Sequence, residues 1–475
     1  MKIKTWIDRP LHQTAKALRA GEVSAESLCD EAIANHERFG QLLGAYKTWD
    51  GDGALLSAGL ADQAFQRGYD FGPLQGFPIS VKDLYGVRGL PVYAGSSKPL
   101  PEKWQTEGPV ISSLRRQIAP ITGKTHTVEF AFGGVGVNGN WPTPRNPWSP
   151  QVHRVPGGSS AGAGVSLCEG SAAVALGTDT AGSVRIPASV TGNAGLKTSA
   201  GRWSLDGLVP LSETFDSPGV LARSIEDIAY AFAAIDPVCN RSELSSRLAN
   251  VRPDLAGLRI GVCGRLFWDD CSPGVAEAVE KALKEAERKG ARIQNIDIPE
   301  LDETYSIFRA GGLAAVELLA FLRTELPSWI ETLDPNVAAR TAGAGELSAA
   351  EFVVRDRRLR QLAATAVRVF DSCDVIVTPT VAITPPTVEE VSVTEVYNQQ
   401  NMLMLRNTSI VSLLNLCAMT LPVGLDGAGM PVGMQVIGRR MMEESLILMA
   451  RGLELAIGNG RDRLGEPEML RAAFV

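Results

Sequence analysis

Between residues 258 and 379 the chain repeats one pattern: a short apolar run, a helical stretch, then another apolar run. Residues 258–262 and 291–298 read as strands, and 274–289 between them reads as a charged amphipathic helix. Residues 374–379 read as a further core strand ending in a loop. Short apolar runs alternating with helices are the pattern of an α/β sheet with helices on both faces. The same rhythm is present upstream, with strands expected at 76–81, 118–122 (followed by a turn at Gly123) and 172–176. Helices are expected at 109–117, with Pro109 in the first turn, and at 161–169. The segment 11–39 reads as helical, with Ser24 as an N-cap after a turn at Gly21. Residues 302–370 read as helix-rich, interrupted by Ala342-Gly343-Ala344-Gly345. At about 150 residues per domain, 475 residues suggest three domains, yet no linker or repeat divides the chain.

Composition narrows the chemistry. A net charge of −7 offers no footprint for a polyanion, so no nucleic-acid partner is expected. Seven cysteines without a C-x-x-C predict neither a disulfide framework nor a metal site, and no cofactor is implied. The first nine residues lack an apolar core for secretion, which predicts a cytoplasmic protein. Residues 407–425 carry no charge, but their Asn, Ser and Thr content and Pro422 suit a helix running into a buried strand, not a membrane span.

Three motif matches fail on physical grounds. Gly123-Lys124-Thr125 lacks the first glycine of a phosphate loop, because position 118 is Ile118. Gly134-Val135-Gly136-Val137-Asn138-Gly139 is followed by Asn140-Trp141-Pro142, which cannot open the helix a dinucleotide site requires. Gly158-Ser159-Ser160-Ala161-Gly162 fits a nucleophile elbow, but all four histidines precede Ser160, which excludes the order Ser, acid, His. His126 and Glu129, without a third ligand, read as structural, with His126 on a helix.

Two serine-bearing turns remain, Pro156-Gly157-Gly158-Ser159-Ser160 and Gly177-Thr178-Asp179-Thr180-Ala181-Gly182-Ser183. Small residues around a serine let successive backbone N–H groups converge, as an oxyanion hole requires, although they also permit tight packing alone. A serine nucleophile here needs a base other than histidine, and a neutral lysine can serve. Lys82 is the candidate because it ends an apolar run; the bland alternative is that it pairs with Asp83 or caps a strand.

These turns resemble the signature of the amidase signature family. Gly76-Phe77-Pro78-Ile79-Ser80-Val81-Lys82-Asp83 is similar to that family's lysine motif. Gly123-Lys124-Thr125, Glu129-Phe130-Ala131, Asn146-Pro147, Gly195-Leu196-Lys197, Asp216-Ser217-Pro218-Gly219, Thr378-Pro379-Thr380 and Pro431-Val432-Gly433-Met434-Gln435 also match, and Ser159 and Ser183 stand 24 residues apart as in the family. The likeness spans roughly 10–457. It implies one α/β domain over 1–475, a central mixed β-sheet covered by helices on both faces, with an N-terminal helical segment at about 10–60 and a variable helical region at about 302–370. It further implies Ser183 as nucleophile, Ser159 as a bridging serine beside a cis peptide, and Lys82 as general base. Thr180, Ala181, Gly182 and Ser183 would supply oxyanion amides, with Ser160, Asp179 and Arg185 behind them, Arg185 as a charge partner of Asp179. Ala131 would contact substrate. The sequence departs from the family at His126, where Asn is common, at Ala181, where Gly is common, and at Cys417, near a customary Gly. The expected substrate is a small, moderately apolar amide, with aryl esters and carbamates also in scope. Segments 129–141, 302–345 and 395–415 are the expected pocket wall. The alternative is the glutaminase-type component of a tRNA-dependent glutamine amidotransferase complex. A homodimer is left open.

Overall fold

The computed structural model describes residues 5–472. Eleven strands form one sheet: β1 (Tyr46–Trp49), β2 (Ile79–Lys82), β3 (Ile121–Thr125), β4 (Val174–Asp179), β5 (Ala194–Lys197), β6 (Ser217–Ala222), β7 (Arg259–Val262), β8 (Arg292–Asn295), β9 (Val375–Pro379), β10 (Cys417–Leu425) and β11 (Pro431–Gly438). Their order is β1-β3-β2-β4-β6-β5-β10-β11-β9-β7-β8. The β3-β2-β4 and β9-β7-β8 neighbours run parallel, whereas the strands joining these two blocks are antiparallel. The expected mixed α/β sheet is what the chain forms.

Burial on both faces follows from strand alternation. Val174 and Leu176 of β4 point into the main core, while Ala175 between them packs with Ala163 and Leu167 of the helix Ala161–Glu169 and with Ala188. The β-α-β stretch forms as expected, with the helix Val275–Arg288 between β7 and β8, and β8 is a partly exposed edge. Ser24 caps the helix Ala25–Leu43, accepting from Ser27 N at 2.9 Å. The apolar stretch Leu301–Glu325, long enough for a membrane span, is two helices broken at Gly311 and Gly312 (φ 68° and 103°).

Several boundaries differ from the sequence reading. The N-terminal segment is not helical throughout, because β1 separates the helices Ala25–Leu43 and Gly51–Gln66. Gly123 is no turn but lies inside β3, at φ 143°, where a Cβ would approach Thr48 O to 2.2 Å. The helix Pro335–Ala344 ends within Ala342-Gly343-Ala344-Gly345, with Gly345 as its C-cap and the next helix beginning at Ala349, so the expected interruption falls there. His126 lies on no helix; it follows β3 in a loop, its N–H donating to Ala45 O (3.0 Å).

At the ends of β2 and β3, Lys124 Nζ donates to Asp83 Oδ1 at 2.9 Å, both side chains being buried. Asp83 Oδ2 accepts from Tyr93 N (3.0 Å). Asp83→Asn should therefore leave an ammonium buried without its counter-charge and lower stability by about 3 kcal/mol, read as a reduced urea midpoint. An unchanged midpoint would contradict this reading of the pair.

Candidate active site

The C-terminal ends of the parallel strands β2 and β4 bring the serine turns and the lysine together. Lys82 is the last residue of β2 and is 0% exposed. Its Nζ donates to Ser159 Oγ at 2.7 Å and to Thr178 Oγ1 at 2.8 Å. Asp83 belongs to Lys124, so the alternative of a Lys82–Asp83 pair does not hold. Burial pushes the Lys82 ammonium down to about 7, even though Asp216 and Asp179 pull it upward. At that value a large fraction of Lys82 is a neutral amine at neutral pH, in contact with a hydroxyl it can deprotonate.

Ser159 reaches Lys82 from a turn whose Gly158–Ser159 peptide bond is cis. The turn is held by Gly158 N donating to Gly134 O (2.8 Å) and by Val128 N donating to Ser159 O (3.1 Å). Ser160 opens the helix Ala161–Glu169 and joins both motifs: its N donates to Ser183 O (3.3 Å), and its Oγ to Thr178 O (3.4 Å).

Asp179, at the end of β4, organises the second turn. Its Oδ1 accepts from Gly182 N (2.7 Å), and its Oδ2 accepts from Val184 N (3.2 Å). Arg185 Nε donates to Oδ2 (3.0 Å) and Nη2 to Oδ1 (2.8 Å). Burial alone would raise the Asp179 carboxyl, but the Arg185 charge and hydrogen bonds, with Lys197 and the Val184 amide, hold it at about 2. Arg185 also donates to Gln435 Oε1 (2.6 Å) and Ser412 Oγ (2.7 Å), so β11 and the helix Thr394–Leu413 fix its position. The turn thus wraps a permanent carboxylate. Thr408 Oγ1 donates to Ala181 O (2.7 Å) and fixes its outer side. Ser183 is buried, and its hydroxyl takes no hydrogen bond among the described residues.

The 129–134 loop forms a wall beside Gly158. Phe130 and Ala131 have φ of 47° and 60°, and Gly134 N donates to Asn401 Oδ1 (2.7 Å). Glu129, pushed up to about 7 by burial, accepts from Asp334 N (2.6 Å) and Asn140 Nδ2 (3.0 Å). This anchors the helix Pro335–Ala344, whose Arg340 lies 3.6 Å over the Phe132 ring and donates to Phe132 O (2.8 Å). All three expected wall segments therefore meet at this loop.

The profile of the Amidase family matches residues 27–447. The chain belongs to the amidase family. As an amidase it is a hydrolase of carbon–nitrogen bonds. It is 50% identical to 2-amino-5-chloromuconic acid deaminase of Comamonas testosteroni over 97% of this chain and 98% of that one. It is 30% identical to the A subunit of glutamyl-tRNA(Gln) amidotransferase from Desulforudis audaxviator, over 96% and 97%. The 6-aminohexanoate cyclic dimer hydrolase shares the amidase fold at a TM-score of 0.85, with 23% identity over 98% of this chain and 100% of that one.

Sequence reasoning missed Thr178, Gln435, Ser412 and Asp216. Thr178 stood inside a quoted turn without a role, and its hydroxyl contact to Lys82 depends on β2 pairing with β4, which no local pattern displays. Gln435 lies 250 residues from Arg185.

Gly182 tests the turn. Its φ is 140°, and a Cβ there would stand 2.1 Å from Thr408 Oγ1 and 2.7 Å from Ile186 Cδ1. Gly182→Ala should lower kcat/KM at least about tenfold, because the turn that carries Ser183 and hangs on Asp179 must shift to admit the methyl group, while circular dichroism stays that of the folded protein. Full activity would show that this turn is not part of the site.

Proposed function

We propose that this amidase is a serine hydrolase working through Lys82, Ser159 and Ser183, and that it releases nitrogen from a small, unsaturated or aromatic substrate bearing a carboxylate. The observation that carries the reading is the 2.7 Å contact between a buried Lys82 and Ser159. Neutral Lys82 takes the proton of Ser159, which takes that of Ser183 as Ser183 Oγ attacks the carbon bearing the nitrogen. That carbon is the C=O carbon of an amide or the C=N carbon of the imine tautomer of an amino-substituted unsaturated acid, and its π electrons move to the oxygen or the nitrogen. This requires Ser183 to turn its free hydroxyl toward Ser159. Backbone amides of Thr180, Ala181 and Ser183 are the donors for the negative charge that develops on an amide oxygen, each such donor contributing about 3 kcal/mol. The Gly182 N–H, expected among them, is given to Asp179 Oδ1 and holds the turn instead. The relay then reverses. Ser159 passes a proton to the departing nitrogen, the C–N bond breaks, and water cleaves the acyl–Ser183 ester formed from an amide. Asp179 and Arg185 hold the turn, and Ala131 lines the wall.

Two features support a carboxylate on the substrate. The relative at 50% identity is named for 2-amino-5-chloromuconic acid, and Arg340 sets a guanidinium beside the wall at Phe132. The same nucleophile suits aryl esters and carbamates, whose leaving groups depart more readily. A second reading, a component of a tRNA-dependent amidotransferase, is favoured by the 30%-identical relative and requires glutaminase activity that appears only with partner proteins of that complex.

Comparing kcat/KM across amino-substituted unsaturated acids, aryl and aliphatic amides, carbamates and esters tests the substrate class. Highest efficiency on carboxylate-bearing substrates, with ammonia released, is the expected result; preference for neutral fatty or aryl amides would overturn it. Ser183→Ala should lose activity by about a thousandfold or more. With chemistry limiting, kcat/KM should rise about tenfold for each pH unit below 7 and level off above, as Lys82 loses its proton. A flat profile from about pH 6 to 9 would remove Lys82 as the base.

A further inference from the structure

Resting on that reading, we infer that Asp216 is a positioning residue: a buried carboxylate that clamps the first residue of the oxyanion turn and serves as the distant counter-charge of Lys82. Its place follows from the sheet. Asp179 of β4 pairs with Ser217 of β6, so the residues just outside this pair, Thr180 and Asp216, are neighbours. Thr180 Oγ1 donates a short hydrogen bond to Asp216 Oδ1. Asp216 Oδ2 accepts from Leu211 N (2.9 Å) and Ser212 N (3.1 Å), which folds the 211–216 loop around the carboxylate. That loop is tied in turn to the helix Leu313–Glu325, where Glu317 accepts from Ser212 Oγ and Thr214 Oγ1, both at 2.5 Å.

Asp216 forms no ion pair among the described residues, although it is only 7% exposed. Its contrast with Asp179 is informative. Asp179 is neutralised by Arg185 and adds nothing to the charge balance of the lysine beyond a residual pull. Asp216 is the larger of the two carboxylate influences on Lys82, and Lys82 is the cation that stabilises the Asp216 carboxylate. Three consecutive residues at the end of β4 therefore join the parts: Thr178 accepts from Lys82, Asp179 holds the turn, and Thr180 donates to Asp216. The other charged or titratable groups facing this cluster are Tyr85, whose hydroxyl donates to Gly177 O, Arg185 and Lys197 around Asp179, and Glu317 behind the loop. Burial raises the Asp216 carboxyl to about 6, against its hydrogen bonds and Lys82.

The function of this arrangement is to keep Lys82 from losing its proton too easily. A lysine buried with no carboxylate in view would be a weak base with little capacity to hold the serine proton during attack. A directly paired lysine would stay charged and could not accept one. A carboxylate near the ammonium but not paired with it, each bonded to its own threonine hydroxyl, gives the intermediate case.

The test uses the full chain and a fluorophosphonate as probe, measuring the second-order rate of Ser183 labelling from pH 5.5 to 9. In Asp216→Asn the rising limb should move to lower pH by about one unit, because an opposing negative charge no longer favours the ammonium. Thr180→Val should move it the same way by less, since Asp216 without its donor is more readily protonated, and Thr180→Ser should restore the parent profile. A merely structural role would lower the labelling rate at every pH and leave the limb in place, and that result would overturn the inference. If Asp216→Asn does not fold, the Thr180→Val shift and its rescue by Thr180→Ser decide between the same two outcomes. Failure of the underlying reading looks different: the parent protein would not be labelled at Ser183, or Lys82→Met would be labelled as fast as the parent.

Discussion

Everything at this site depends on burying Lys82 without giving it a carboxylate partner in contact. A primary amine inside a protein must either pair, lose its proton, or find neutral hydrogen-bond partners. Lys82 takes the last two courses together, with hydroxyls of Ser159 and Thr178 at its nitrogen. The pairing of β2 with β4 and the 129–134 loop that holds Gly158 both bear on that one contact.

The charges nearby are handled in the opposite way. Lys124 is matched by Asp83 and Arg185 by Asp179, each pair buried and in direct contact. Asp179 is thereby kept ionised and free to anchor Gly182, Val184 and Arg185. Lys197, also buried, donates to the carbonyls of Thr198 and Leu416 and is lowered to about 8 by burial. Of these four buried cations, only Lys82 has hydroxyls in place of an anion or backbone carbonyls as its main partners. The proposed role of Lys82 as base rests on that difference.

How far this was legible in the sequence varied with the range of the interaction. The β-α-β rhythm at 258–298 predicted an α/β sheet because strand and helix periods are local properties, and the helix Ala161–Glu169 formed as expected. The motif residues Lys82, Ser159 and Ser183 were visible through unusual turn composition and a lysine ending an apolar run. Features that depend on two distant strands were not visible. Gly123 looked like a turn residue, since nothing nearby shows that Thr48 of β1 approaches it, and β1 itself is four half-buried residues with no periodic signal. Asp216 read only as part of a motif, because its role is defined by Thr180 across the β4–β6 ladder. Arg340 lay in a region whose helices predict nothing about the loop they cover.

The central claim is that Ser183 is the nucleophile and that Lys82, through Ser159, supplies its base. Covalent capture with a serine-directed phosphonate, followed by peptide mass spectrometry of the parent protein and of Lys82→Met, addresses it directly. The account predicts a single adduct on Ser183 in the parent and a strongly slowed adduct in Lys82→Met. An adduct on Ser159 or Ser160 instead, or equal labelling of Ser183 in both proteins, would contradict it.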